Sequence, residues 1–366
     1  MPDTTLAPPN TPDAIRPALR AHTTYARALV GPPLIATHHD ADGLSSGALL
    51  ARMWERLAGQ RPTVRLVGRG ENAWDDAFAA SVADLDAPGL AVADLGVAGR
   101  RPAPHVPLAV IDHHVPTGAP DDATVVSGYG LDPVPTTSLL AHWCAWDVLG
   151  KRADDLLWLA AVGLIGDLGD KAPFDALPVA KKRYGAGKLR ELTTLVNAPR
   201  RSATGDASAA LALLMNANDP ADALSGRHPQ AEACQAAREE VKAELDAARR
   251  IAPRFPPKAS AVEDVAVIPV DSACQVHPLV AQSWVGRLKG KPVFAANFGF
   301  EPGTVHISGR APKGVNLIDL LARHRPAGAD RSHYGNGHER AAGGALPLDQ
   351  WDEWCASLGF DRPVRP

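Results

Sequence analysis

Residues 34–43 are Leu-Ile-Ala-Thr-His-His-Asp-Ala-Asp-Gly, a short apolar run followed by two histidines and two aspartates. The apolar part has the length of a buried strand, and the polar part begins where such a strand would end. The same arrangement recurs at residues 90–94 (Leu-Ala-Val-Ala-Asp) and at residues 108–114 (Leu-Ala-Val-Ile-Asp-His-His). We therefore predict three strands that each carry acidic or imidazole groups at the carboxyl end.

Helical stretches separate these runs and predict the fold class. The first helix would be capped by Ser45 and carries apolar residues at helical spacing up to Leu57. Val64 to Val67 is a further short strand. Strands that alternate with helices predict an α/β domain with a mainly parallel sheet flanked by helices. Sites in such sheets form beyond the carboxyl ends of the strands, so the acidic groups should converge there.

Chain breakers indicate how the sequence is divided. Two clusters, at 217–220 and 225–229, interrupt the chain after residue 200, and prolines after residue 252 would end a long helix at 231–251. The last part alternates strand-like and helical runs again, which predicts a second, smaller α/β domain. The predicted organisation is a loose tail (1–14), an α/β domain (15–200), a helical linker (201–257) and a smaller C-terminal α/β domain (258–366).

The bulk composition excludes several classes of protein. The chain has 366 residues, 22% of them charged, and a net charge of −3, which is typical of a folded globular protein and not of a polybasic nucleic-acid coat. Its four cysteines form no C-x-x-C pair, so zinc-ribbon and redox sites are not indicated. The sequence shows no secretory signal and no apolar stretch of membrane-spanning length. We expect a cytoplasmic protein with no membrane partner.

The acidic residues after the first strand predict a metal site. Asp40 and Asp42 are two residues apart, and on an extended backbone both side chains would point the same way. Carboxylates this close repel unless a cation lies beside them, and carboxylate with imidazole suits manganese-type ions. An Asp-x-Asp-Gly segment can also be a simple turn, and Asp94 or Asp167 alone could be a helix cap. Five sets of ligand-type residues at strand or helix ends nevertheless favour a metal centre.

In order and spacing, these residues resemble the DHH phosphoesterase superfamily over roughly residues 30–170. The matching motifs are His38-x-Asp40-x-Asp42-Gly43, Asp94, Asp112-His113-His114 and Gly166-Asp167. The resemblance implies a catalytic domain with two manganese ions, with magnesium or another divalent ion as the alternative. By that analogy, His38 and Asp40 bind one ion, Asp42, His113 and Asp167 bind the other, and Asp94 bridges them. His114 would then lie beside the substrate phosphate, and Asp112 would brace the histidines.

The C-terminal region resembles the DHH-associated domain of the same superfamily. Its motifs are His306-Ile307-Ser308-Gly309-Arg310 and the glycine-rich segment 335–344, which we expect to form a loop. Glycine lets backbone amides approach a phosphate closely, although a glycine-rich segment can also be purely structural. Asn336 stands where the family commonly has glycine, and asparagine tolerates a left-handed backbone. The resemblance implies substrate binding by Arg310, Gly335, Gly337 and His338.

The resemblance also implies a mechanism and a range of substrates. Two metals that share a bridging water would generate hydroxide near neutral pH for in-line attack on phosphorus. We expect little room for the additional nucleic-acid-binding domain of RecJ-type exonucleases, and 5% aromatic residues offer few stacking platforms. The expected enzyme is a phosphodiesterase or exonuclease that converts short single-stranded oligonucleotides and linear or cyclic dinucleotides to mononucleotides. The sequence leaves a homodimer open.

Other interpretations of the motifs are a RecJ-like single-stranded DNA exonuclease and a non-catalytic nucleic-acid-binding module. The complete set of motifs argues against the second, because degenerate members typically lose ligands. A family II pyrophosphatase would need a different C-terminal domain, and the glycine-rich segment with His338 argues against it.

Overall fold

The structure, a computed structural model, describes residues 10–330 and 333–366. These residues form two compact units, one up to residue 200 together with 205–236, and one of residues 201–204 with 237–366. A loose tail was predicted for residues 1–14, and residues 1–9 of it lie outside the described part of the chain. Asp13–Ile15 form a short 3-10 helix. The helical linker predicted for residues 201–257 is divided between the two units.

The first unit contains a five-stranded sheet and most of the helices. Its strands are β1 (Leu34–His38), β2 (Val64–Val67), β3 (Leu90–Ala93), β4 (Leu108–Asp112) and β5 (Thr124–Ser127). Its helices are α1 (Arg16–Ala28), α2 (Ala41–Ala58), α3 (Asp76–Ser81), α4 (Thr137–Leu149), α5 (Leu157–Leu168), α6 (Ala176–Tyr184), α7 (Ala186–Val196), α8 (Ser208–Asn216) and α9 (Pro220–Ala223). Helix α10 (Pro229–Ala248) begins in this unit and ends in the second.

All strands of this sheet are parallel, in the order β2-β1-β3-β4-β5. Alternate residues of the central strands enter two different cores: Ala91 and Ala93 pack on one face, and Leu90 and Val92 pack on the other. Burial of both faces explains the continuous apolar runs of the sequence, because a sheet covered by helices on both sides has no polar face. The parallel register brings the carboxyl ends of β1, β3 and β4 to one edge.

The predicted fold class is confirmed, with some differences in the elements. The strands β2 and β3 have the predicted bounds, whereas β5 was not predicted. The prediction that Ser45 caps the first long helix is wrong. Helix α2 begins five residues earlier, because its cap is Asp40, whose side chain accepts hydrogen bonds from the backbone N–H groups of Asp42 and Gly43.

Helix α5 is apolar all round and is buried over most of its length, as expected for a helix that other helices enclose. It packs mainly against α2, α4 and α7. No helix among residues 10–330 and 333–366 is both long and apolar enough to cross a membrane. The four cysteines are all buried and none forms a disulfide.

The second unit has a mixed sheet in the order β6-β7-β8-β10-β9, in which only β6 and β7 are parallel. Its strands are β6 (Ala266–Val270), β7 (Val293–Glu301), β8 (Thr304–Arg310), β9 (Tyr334–His338) and β10 (Ala341–Pro347). Its other helices are α11 (His277–Val285), α12 (Leu317–Arg323) and α13 (Leu348–Ser357). The glycine-rich segment predicted to be a loop forms the two strands β9 and β10, which pair as a hairpin.

A buried histidine in α1 should make the fold sensitive to acid. His22 is 1% exposed, and burial lowers its pKa from 6.5 to about 4. The unfolded chain therefore binds this proton more readily, and stability is lost as the pH falls from about 6.5 to about 4, by on the order of 3 kcal/mol at most. We expect His22→Leu to flatten this part of the pH dependence, measured by urea unfolding at several pH values. An unfolding midpoint that falls as steeply in the variant as in the wild type would contradict the assignment.

Candidate metal centre

The ends of three neighbouring strands and of one helix supply the side chains of the predicted centre. His38 ends β1, Asp94 follows β3, and Asp112 ends β4. The two histidines follow Asp112 directly, and Asp167 lies in the last turn of α5. Because β1, β3 and β4 are adjacent and parallel, their carboxyl ends place these groups around one cavity. The cavity has a volume of about 340 Å³ and is lined by His38, Asp40, Asp94, Leu95, Gly96, His113, His114 and Asp167.

The pair Asp40 and Asp42 is arranged differently from the prediction. The two residues do not share an extended segment: Asp40 is the N-cap of α2, and Asp42 lies in its first turn. Asp42 is 1% exposed, and its carboxylate oxygens accept hydrogen bonds from the backbone N–H groups of Thr137 (2.8 Å) and Ser138 (3.0 Å). The helical start lets the two carboxylates face different neighbours, so each enters a different cluster of ligand-type atoms.

The first cluster consists of His38, Asp40 and Asp94. His38 Nδ1 lies 3.2 Å from Asp40 Oδ2 and 3.8 Å from Asp94 Oδ2. One ligand-type atom from each residue falls within 4.8 Å of the others, which is the separation expected of atoms that can share one cation. Two oxygens and one imidazole nitrogen suit a hard or borderline divalent ion.

The second cluster consists of Asp42, His113 and Asp167, whose ligand-type atoms also lie within 4.8 Å of one another. His113 Nε2 lies 3.5 Å from Asp167 Oδ2 and 3.6 Å from Asp94 Oδ1. Asp94 thus presents one carboxylate oxygen to each cluster. Its backbone is left-handed, with φ of 63°, a conformation that non-glycine residues adopt mainly where the surroundings impose it, often at functional sites.

Asp112 contacts the second histidine and the turn after β3. It is fully buried, and its Oδ1 accepts a hydrogen bond of 2.7 Å from the His114 backbone N–H and lies 3.2 Å from His114 Nδ1. Its Oδ2 accepts from the backbone N–H of Gly96 at 2.8 Å. The His114 side chain is 53% exposed at the cavity. With Asp94 and His113 it forms a third group of ligand-type atoms, so the geometry allows either a phosphate or a metal beside it.

The carboxylates of the centre carry more negative charge than the protein alone neutralises. Burial and the charge of Asp40 raise the pKa of Asp42 to about 6, and burial with the charges of Asp42 and Asp40 raises that of Asp167 to about 6. Burial and three neighbouring aspartates raise the pKa of Asp94 well above its ordinary value. Burial opposes ionisation of Asp40 as well, but the His38 hydrogen bond and the positive charges of His38 and Arg200 hold its pKa below the ordinary range. Three neighbouring carboxylates, those of Asp42, Asp94 and Asp167, thus disfavour their own ionisation, which fits a bound cation beside them.

The two histidines of the DHH segment have opposite electrostatic surroundings. Burial and the neighbouring His114 lower the pKa of His113, which favours the neutral imidazole that a metal requires. The hydrogen bond to Asp112 raises the pKa of His114, which favours the imidazolium form. One histidine is therefore suited to a metal and the other to an anionic group.

Two contributors to the centre were not predicted. Arg200, in the 3-10 helix Pro199–Arg201, lies near enough for its charge to lower the pKa of Asp40 and of His39. Thr137, at the start of α4, donates from its hydroxyl to Asp94 Oδ1 at 2.9 Å. The adjacent Arg200 and Arg201 could have indicated a positive charge near the acidic residues. A buried threonine such as Thr137 has no recognisable pattern in the sequence.

Three residues near the motifs were not expected to be ligands, and they make other contacts. His39 Nδ1 lies 3.2 Å from the carbonyl oxygen of Val67. Asp170 pairs with Lys181 and Arg190, at 2.9 and 3.1 Å. His142 is buried within α4. None of them belongs to a group of ligand-type atoms among the described residues.

Two of the predicted substrate-binding residues, Arg310 and His338, lie at one end of the sheet of the second unit. Arg310 of β8 and His338 of β9 both pair with Ala341 of β10, the strand between them. Gly337 has φ of 129°, and a Cβ there would lie 2.3 Å from the carbonyl oxygen of Ala341, so glycine is required for the hairpin itself. Arg310 donates to Gln282 Oε1 at 3.1 Å and to its neighbour Gly309 at 2.8 Å. Gly335 has φ of 81° and open space around it.

Comparison with known proteins gives a relationship of fold. No protein-family model matches the sequence, and no curated protein matches it. A solved structure of exonuclease RecJ bound to manganese is 22% identical, with a TM-score of 0.68 over 95% of this chain and 96% of that one. RecJ from Thermus thermophilus in complex with Mn²⁺ is 21% identical, with a TM-score of 0.69 over 98% of this chain and 57% of that one. The DHH domain of a member of a ribosomal-protein family is 16% identical, with a TM-score of 0.69 and coverage of 98% and 94%.

Proposed function

We propose that this chain, whose fold is that of the DHH phosphoesterase superfamily, is a metal-dependent phosphodiesterase acting on short single-stranded oligonucleotides and on linear or cyclic dinucleotides. The observation that carries the proposal is the place of Asp94. Its Oδ2 lies 3.8 Å from His38 Nδ1, and its Oδ1 lies 3.6 Å from His113 Nε2. One carboxylate that faces two ligand clusters is the arrangement that a two-metal phosphoryl-transfer site needs.

We propose that His38, Asp40 and Asp94 would hold one ion and that Asp42, His113 and Asp167 would hold the other. Asp94 would be shared, because its Oδ1 lies 3.6 Å from His113 Nε2. Bound there, divalent ions would lower the pKa of water to near neutrality and offset negative charge on the phosphoryl oxygens. We propose manganese, with magnesium as the alternative, since RecJ structures of similar fold are described with Mn²⁺ and with Mg²⁺.

His114 would act on the substrate phosphate. Because its Nδ1 faces Asp112, its other ring nitrogen is left to donate a hydrogen bond toward the cavity. The raised pKa supplies the positive charge that a developing phosphoryl dianion favours. Asp112 is buried and also holds the backbone N–H of His114, so it fixes both the orientation and the protonation of this imidazole.

In the second unit, the residues proposed to bind substrate are Arg310, Gly335, Gly337 and His338. Arg310 can form charge-assisted hydrogen bonds to a phosphate, and His338 on the neighbouring side of the same sheet end can add a donor. The open space around Gly335 leaves room for close approach of an anionic group, whereas Gly337 shapes the hairpin beside His338.

A second candidate is a single-stranded DNA exonuclease. It is favoured by the similarity that extends over 96% of the chain of one exonuclease RecJ structure. The two candidates share the chemistry of the metal centre and differ in the length of strand that is digested.

The test is a panel of substrates with Mn²⁺: a linear dinucleotide, a cyclic dinucleotide, a long single strand, 3′-phosphoadenosine 5′-phosphate and pyrophosphate. We expect dinucleotides and short oligonucleotides to be turned over fastest and a chelator to stop the reaction, because the ions are part of the site. Faster digestion of the long strand would select the exonuclease instead. No turnover of any substrate, with Mn²⁺ bound, would leave a non-catalytic binding module and overturn the proposal.

A further inference from the structure

The start of helix α4 is built against two of the candidate ligands. Thr136 is the N-cap, and its hydroxyl accepts a hydrogen bond from the backbone N–H of Leu139. The next two backbone N–H groups, which have no partner within a helix, donate to the two oxygens of Asp42 at 2.8 and 3.0 Å. The helix terminus therefore supplies hydrogen bonds and positive partial charge to a buried carboxylate.

Thr137 contacts both of the carboxylates that the proposed function assigns to different roles. Its backbone N–H donates to Asp42 Oδ2, and its hydroxyl donates to Asp94 Oδ1 at 2.9 Å. The residue is fully buried, so neither contact competes with solvent. One rigid residue thus links a proposed ligand of the second ion with the proposed bridge between the ions.

Resting on the proposed function, we infer that Thr137 is a positioning residue of the metal centre, which holds the Asp42 and Asp94 carboxylates at the separation needed for two ions. The hydroxyl of Thr137 donates one hydrogen bond, which Asp94 Oδ1 accepts. This leaves the second lone pair of Oδ1, and the whole of Oδ2, free to face His113 and His38. The carboxylate plane of Asp94 is fixed before an ion arrives.

The backbone of Asp94 explains why such a support is needed. Asp94 follows β3 directly with a left-handed backbone, a conformation that persists in a non-glycine residue only where the surroundings hold it. The surrounding aspartates repel its carboxylate, since Asp42, Asp40 and Asp112 all act in that direction. Without the hydroxyl, the carboxylate would turn away from these charges, and an incoming ion would have to restore its position. Removal of a hydrogen bond that orients a ligand typically weakens metal binding by about 10–100-fold.

The decisive variant is Thr137→Val, which keeps the shape of the side chain and removes only the hydroxyl. Thr137→Ser keeps the donor and serves as the conservative variant. Thr193→Val is the matched control, because Thr193 is a buried helical threonine whose hydroxyl donates to the Leu189 carbonyl oxygen at 2.8 Å and touches no carboxylate. Thr137→Ala carries the same prediction should the valine variant fail to fold.

The measurements are calorimetric titration of the full chain with Mn²⁺ and the electron paramagnetic resonance spectrum of the loaded protein. We expect the wild type to bind two Mn²⁺ ions and to show the spectrum of a coupled pair. Thr137→Val should bind at least one ion about 10–100-fold more weakly and lose the coupled signal. Thr137→Ser and Thr193→Val should behave as the wild type does.

The outcomes separate this inference from the proposed function. Two Mn²⁺ ions bound by Thr137→Val with wild-type affinity and a wild-type spectrum would overturn the role of Thr137, whatever the substrate. A wild type that binds fewer than two Mn²⁺ ions would overturn the two-metal centre itself, and the inference with it. A loss of affinity in Thr193→Val equal to that in Thr137→Val would assign the effect to general destabilisation, and so reject the positioning role.

Discussion

Asp94→Asn is expected to abolish phosphodiester hydrolysis, with turnover falling by more than about 1,000-fold, since even an indirect support of a metal ligand is worth about 10–100-fold. Asparagine keeps the shape of the side chain and tolerates the left-handed backbone, so the change removes mainly the charge. Because the carboxylate faces both clusters, both ions should lose a ligand at once. Mn²⁺ titration and a dinucleotide hydrolysis assay measure the two effects separately.

Addition of Mn²⁺ should reverse which of the two proteins, Asp94→Asn or the wild type, is the more stable. Without metal, Asp94→Asn should unfold at the same temperature as the wild type or higher, because burial and three neighbouring aspartates disfavour the charged form of Asp94. With Mn²⁺ at about 100 times its dissociation constant, the wild type alone should gain about 3 kcal/mol. Asp122→Asn is the control, since Asp122 is also a left-handed aspartate, with φ of 54°, and is exposed and outside the metal centre. Full activity in Asp94→Asn would refute the bridging role.

The parallel sheet could be predicted because its strands are buried on both faces. A buried strand is recorded in the sequence as an uninterrupted apolar run, and β2 and β3 were predicted with their observed bounds. The start of α2 was predicted five residues late because the prediction places the cap at Ser45, whereas the structure has Asp40 in that position, and both residue types are good caps. Capping propensity alone does not decide between Asp40 and Ser45. The position of the cap follows from the end of β1 at His38, after which only His39 precedes Asp40.

The glycine-rich segment shows the opposite limit. Glycine is disfavoured in strands, so the sequence predicts a loop. In the structure, Gly343 and Gly337 allow neighbouring strands to approach closely: a Cβ at Gly343 would lie 2.1 Å from the Ile307 carbonyl oxygen. These glycines make the close pairing of the strands possible. Nothing in the neighbouring sequence indicates which strand each glycine will lie against.

The residues with ligand-type atoms could be picked out from the sequence, whereas the residues that orient them could not. Ligand types are few and their position after strands is regular, so the set from His38 to Asp167 could be assembled from the chain, although its roles stay predictions. Thr137 contacts Asp42 across 95 positions and Asp94 across 43. A threonine at the start of a helix is common in any sequence. Only the tertiary fold shows that the hydroxyl of Thr137 contacts a carboxylate.

Gly163→Ala is expected to damage both the fold and the centre, although glycine inside a helix normally lowers stability and alanine raises it. Gly163 lies in α5, where a Cβ would stand 2.1 Å from Ser138 Oγ and 2.4 Å from Asp42 Oδ1. Ser138 lies in the first turn of α4, and its backbone N–H donates to Asp42 Oδ1, which comes from α2. One methyl group would therefore force α5 away from α4 or displace the Asp42 carboxylate.

We expect Gly163→Ala to lose about 1–3 kcal/mol from overpacking, which corresponds to a fall in melting temperature of about 2–12 °C for a unit of this size. Mn²⁺ binding should weaken at the cluster that contains Asp42, while the cluster of His38 and Asp40 should be less affected. Gly187→Ala is the matched control, because Gly187 is also helical but a Cβ there meets nothing within 4 Å. That variant should be at least as stable as the wild type, because alanine restricts the unfolded chain and Gly187, in the first turn of α7, has room for a Cβ. Equal stabilisation by both alanines would mean that α5 does not pack on α4 and Asp42 as closely as the structure has it, and the second cluster would then lose its geometric basis.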